Sequence, residues 1–78
     1  MREKKLWLII TFHTTTAALA MESLCTEKGL PGRLIPVPRE ITAGCGMSWR
    51  APGENKKELI EAAEQAGIAT DGAYEIVI

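Results

Sequence analysis

The chain has 78 residues, a formal net charge of −1, and 46% hydrophobic against 24% charged residues. That composition fits one globular domain over residues 1–78, with no room for a second core. The near-neutral charge argues against a nucleic-acid or anionic-membrane surface, which would need a basic excess.

The start, Met1-Arg2-Glu3-Lys4-Lys5 followed by Leu6 to Ile10, imitates a secretory signal. Its apolar run stops after five residues, Thr11 to Thr16 is polar, and no small-residue cleavage site follows. No run approaches the about 20 apolar residues of a membrane span. The expectation is a cytoplasmic protein without a membrane partner, its two cysteines reduced rather than bridged.

Leu6 to Phe12 is short and dense in Leu, Ile, Trp and Phe, as a buried strand is. Thr14 to Lys28 takes helical spacing, with Ala18, Met21 and Cys25 in one row and Ala17 and Leu24 beside it. The Thr14-Thr15-Thr16 cluster offers an N-cap, and Gly29 followed by apolar Leu30 suits a helix terminus. Arg33 to Val37 is β-like, but Pro36 and Pro38 confine it to a sheet edge. Gly46 to Ala51 reads as the next strand and Pro52-Gly53 breaks it. Glu54 to Ala66 then forms an amphipathic helix with Leu59, Ala62, Ala63 and Ala66 on its inner stripe. Gly67-Ile68 repeats the Gly29-Leu30 ending, and Tyr74, Ile76 and Ile78 alternate with Ala73, Glu75 and Val77 in a last strand.

Two β-α-β halves predict an α+β fold, the ferredoxin-like βαββαβ sandwich. It is a four-stranded antiparallel sheet of order 4-1-3-2 with both helices on one face. In that topology the loop after the first strand and the loop between the second and third strands share one end of the sheet. Gly44, Cys45 and Gly46 should therefore lie near Phe12, His13, Thr14 and Thr15, where a helix N-terminus offers free N–H groups and partial positive charge.

That loop holds the most chemical residue of the chain. Cys45 stands between two glycines, past Arg39-Glu40, so bare backbone flanks its sulfur and neighbouring amides can face it. Those conditions favour a thiolate. The bland alternative, a small buried hydrophobe, suits Cys25 instead, on the inner row of the first helix. Cys25 lies twelve residues beyond His13, about 18 Å along a helix, too far from the Cys45 end for a disulfide.

His13, the only histidine, serves either as a cap-region residue or as a base or cation tuning the thiol. Arg39 serves either as a solvated turn residue or as an anion-holding group at the loop mouth, and Arg50 can point either way from its strand. Thr14 and Thr15 are caps first and anion-holding groups second. One His and one Cys do not make a zinc site, so neither metal nor cofactor is expected. Trp7, Ile9, Met47 and Trp49 raise a separate question. If Trp7 and Ile9 face away from the helices, an apolar patch is exposed, and a second copy of the chain is the expected cover in preference to local packing of the two tryptophans.

These residues bring out a resemblance that runs nearly end to end. Phe12-His13-Thr14-Thr15, Ala18, Glu22 and Gly29 belong to it, followed by Arg33-Leu34-Ile35-Pro36-Val37-Pro38-Arg39-Glu40-Ile41, Cys45-Gly46 and Arg50. The chain resembles a small bacterial family of selenium/sulfur carrier-like proteins. Members often carry Ser-Ser before the cysteine; here Ala43-Gly44 removes those hydroxyl donors. The resemblance implies a carrier rather than a turnover enzyme, with sulfur or selenium held on Cys45 between donor and acceptor proteins. The alternative is a small dimeric ligand-sensing or protein-interaction module in which the cysteine is incidental. RNA binding on the same fold ranks below both, for want of a basic surface and clear stacking aromatics.

Overall fold

The computed structural model describes residues 4–41 and 46–77. Its elements are β1 (Leu6–Thr11), α1 (Thr15–Lys28), β2 (Arg33–Pro36), β3 (Met47–Pro52), a 3-10 turn (Gly53–Asn55), α2 (Lys56–Gln65) and β4 (Gly72–Val77). The strands form one antiparallel sheet of order β2-β3-β1-β4, the expected order read from the other edge. β1 is central because it alone is apolar on both faces. β2, with Pro36 at its end, sits at an edge where a missing N–H costs no ladder bond.

The helix side of the sheet is set by Leu8, Ile10 and Phe12 of the first strand region and by Trp49 and Ala51 of β3. They pack with Ala18, Met21 and Cys25 of α1 and with Leu59 and Ala63 of α2. α1 places its buried residues at a spacing that faces one side, and its row is small or flexible, so the helix sits close to the sheet. Thr14 caps the helix in extended conformation, its side chain accepting from the Ala17 N–H at 3.1 Å. At the far end Gly29 turns left-handed, and the Leu30 N–H donates to the Cys25 carbonyl at 2.9 Å.

α2 starts two residues later than its sequence pattern suggests, because Gly53–Asn55 forms the 3-10 turn first. It also ends sooner. Ala66, expected on the inner stripe, is the exposed C-cap. The Gly67 N–H bonds the Glu64 carbonyl and the Ile68 N–H bonds the Ala63 carbonyl, at 3.1 and 2.9 Å. That closure folds Ile68 back against the core, in the place the next helical turn would have filled.

Trp7, Ile9, Met47 and Trp49 divide between the two faces of the sheet. Trp49 lies opposite Ile10 and Met47 shares its side of β3, so both pack toward the helices. Trp7 and Ile9 occupy the helix-free side. Trp49 is buried, and its indole N–H donates to the Pro31 carbonyl at 3.2 Å, which ties the α1–β2 link to the core.

Gly32 makes that contact available. Its φ is +128°, and a Cβ there would fall 2.2 Å from the Trp49 Nε1 and 2.7 Å from the Arg50 carbonyl oxygen. Gly29 also has positive φ, +69°, but open space around it. Gly32→Ala should therefore cost roughly 2–4 kcal/mol in urea unfolding. Gly29→Ala should cost only the left-handed backbone penalty, roughly 1–2 kcal/mol.

Candidate functional site

The end of the sheet at which β1 enters α1 gathers three chain segments. Thr11 pairs with Ser48 of β3 on one side and with Gly72 of β4 on the other. Asp71, just ahead of β4, donates its N–H to the Thr11 carbonyl at 2.7 Å. The Thr11 hydroxyl lies 3.4 Å from both the Asp71 Oδ2 and the Gly72 carbonyl oxygen. The other carboxylate oxygen, Oδ1, stands 3.4 Å from Nε2 of His13, whose side chain is 63% exposed. Asp71 thus links the only histidine to the central strand.

Asp71 escaped the sequence reading. Its place beside His13 comes from β1–β4 pairing across 60 residues, a separation that local periodicity does not report. The available signal was the turn at Asp71-Gly72 ahead of an alternating strand known to flank β1.

The leading turn of α1 sits at the same end. Thr14 spends its side chain on the cap, Thr15 is exposed, and the first turn carries no acidic residue. The positive end of the helix dipole is therefore not offset by a carboxylate of its own. On the other side of the end, the Val37 N–H donates to the Gly46 carbonyl at 3.0 Å, which extends the β2–β3 ladder past Pro36. Pro38 to Ile41 closes as a turn, with the Ile41 N–H on the Pro38 carbonyl at 2.9 Å. Ile41 is buried and anchors the turn, while Arg39 and Glu40 at its tip are exposed.

Gly46 is exposed with φ +93° and nothing within 4 Å of a built Cβ, so backbone conformation alone calls for glycine there. Gly44 and Cys45, the two remaining loop residues singled out in the sequence, lie outside the described residues. The structure brings His13, Thr14, Thr15 and Gly46 to one end of the sheet. It does not bring Arg50 there. The Arg50 guanidinium lies 4.4 Å from the centroid of the Trp7 ring, held on the π face toward the opposite end of the sheet. Among the described residues no group of three or more His, Cys, Asp or Glu side chains could hold a metal ion. No helix among them is long and apolar enough to cross a membrane.

Cys25 is the contrasting thiol. It is 1% exposed within the core cluster, and burial pushes its pKa from 9.0 up to about 11. Because the folded value lies above the unfolded one, the native state keeps the proton between about pH 9 and pH 11 while the unfolded chain loses it. Stability should fall with rising pH across that window, and the fall should shrink in Cys25→Ala when urea midpoints are compared. Native Cys25 should also resist iodoacetamide at pH 8 and react once the chain is unfolded.

Comparison with known proteins supplies what geometry alone does not. No curated protein and no solved structure gives a match. The family described as "Putative Se/S carrier protein-like" matches residues 8–75, a stretch that runs from β1 to β4 and spans every element of the sheet. The chain belongs to that selenium/sulfur carrier-like family.

Proposed function

We propose that the protein carries sulfur or selenium on Cys45, taking the atom from a donor protein and releasing it to an acceptor. The observation that carries this reading is the coincidence of the family match with the layout of one sheet end. Gly46, the residue after Cys45, opens the strand that pairs with β1 just where β1 enters α1. An anionic sulfur at that end would meet the amides of the leading helical turn, with Thr15 exposed beside them.

Loading is a thiol exchange. The Cys45 thiolate attacks the outer sulfur of a donor persulfide, forming a new S–S bond as the donor's inner S–S bond breaks. The donor departs as a thiolate and Cys45 holds the persulfide. The same electron count holds when the outer atom is selenium. Delivery repeats the exchange with an acceptor thiolate, so the carrier needs no redox cofactor. Gly44 and Gly46 amides and Arg39 would stabilise the anion, and His13, steadied by Asp71, would favour its formation. Arg50, engaged on Trp7, takes no part in this reading.

Mass spectrometry after incubation with a cysteine desulfurase and cysteine tests it. The peptide containing Cys45 should gain one sulfur atom, and Cys45→Ser should abolish the gain. An unmodified Cys45 that iodoacetamide nonetheless alkylates would end the carrier reading. In the same protein, His13→Ala and Asp71→Asn should each move the pH profile of Cys45 alkylation to higher pH. A binding module with an incidental cysteine would show no such movement.

A further inference from the structure

The helix-free face of the sheet has a chemistry that the carrier reading does not use. Arg33 of β2 and Arg50 of β3 are direct cross-strand partners and therefore project from the same side of the sheet. Like charges placed opposite each other weaken a strand pair. Among the described residues neither arginine has a carboxylate partner, and the Arg50 Nε is buried without a hydrogen bond. Lys5 adds a third cation 6.0 Å from the Trp7 ring.

The described carboxylates that reach this face lie at its margins: Glu54 lines a cavity with Lys5 and Trp7, and Asp71 meets the Thr11 hydroxyl. The strands hold a single carboxylate, Glu75, which lies opposite Leu8 on the helix side and binds Lys56 of α2 at 2.7 Å. Glu58, Glu61 and Glu64 sit on α2. The middle of this face, around the Arg33–Arg50 pair, is thus cationic in a chain that is nearly neutral in sum.

The same face offers apolar and aromatic surface. Trp7 is half-buried, Tyr74 is 39% exposed, and Ile35 and Ile76 are half-buried beside them. Trp, Tyr and Arg are the residue types that dominate protein-interface energetics.

We propose that this face docks a partner protein through acidic side chains that engage Arg33 and Arg50, beside an apolar contact on Trp7 and Tyr74. Carboxylates from the partner would relieve the Arg33–Arg50 repulsion by meeting the outer guanidinium nitrogens. A second copy of this chain fits worse, because it would set one Arg33–Arg50 pair against a face to which the strands contribute no carboxylate. Single-stranded RNA fits worse too, since the Arg50 guanidinium already occupies one face of the Trp7 ring that a base would need. The docking surface stands whether or not Cys45 carries sulfur.

Photo-crosslinking in cells tests the proposal. A benzophenone amino acid is placed at Tyr74, with a control at exposed Glu61 on α2, and adducts are identified by mass spectrometry. The expected result is a protein adduct at Tyr74 and not at Glu61, joined to a segment rich in Asp or Glu. Arg33→Gln should cut its yield at least fivefold while the Tm stays level or rises, since the repulsion is gone, and Arg33→Lys should restore most of the yield. An adduct of two copies of this chain, a ribonuclease-sensitive adduct, a yield indifferent to Arg33→Gln, or no adduct at Tyr74 would each overturn the proposal.

Discussion

The organisation follows from one constraint: β1 pairs on both edges while only one side of the sheet receives helices. Leu8 and Ile10 satisfy the helix side by ordinary core packing. Ile9, on the other side, is equally inaccessible to water, although no helix covers it. Its cross-strand neighbours Arg50 and Tyr74 flank it, and Trp7 lies two residues along the same strand. The long arginine stem is an apolar cover that ends in a charge. Closing the open face with an arginine is what makes that face cationic, so the means of burying β1 also sets the character of the surface.

The same central strand organises the candidate site. Thr11 ends β1, receives Asp71 from the start of β4, and lies level with Ser48 two residues past Gly46. Segments far apart in sequence meet there because an antiparallel sheet returns each neighbour of β1 to the same end. At that end the only histidine lies 3.4 Å from a carboxylate whose backbone is anchored to the central strand, so the side chains there are held by a rigid sheet.

Much of this was legible in the residues. Apolar periodicity located all four strands and both helices, the prolines placed β2 at an edge, and the spacing of Ala18, Met21 and Cys25 sent Cys25 inward. These are local signals, and local signals survive into the fold. Other features rest on information that periodicity lacks. Alternation separates Met47, Trp49 and Ala51 from Ser48, Arg50 and Pro52, but it does not say which set the helices will cover; Trp49 is held inward by the Pro31 carbonyl and by the room Gly32 leaves. Arg50 follows the Trp7 ring, a choice between two strands rather than within one. Asp71 became visible only once the β1–β4 register was fixed. The cationic face likewise disappears in a formal sum of −1.

The two tryptophans end up on opposite sides of a single layer of backbone. Trp49 sits in a dry aliphatic setting with its N–H engaged, whereas Trp7 stands at the border with solvent beneath a guanidinium. Their fluorescence therefore divides by location, one emitter responding to loosening of the interior and the other to whatever arrives on the uncovered side. With either indole replaced by phenylalanine, a spectrometer can watch melting and association separately in this small protein, without an attached dye.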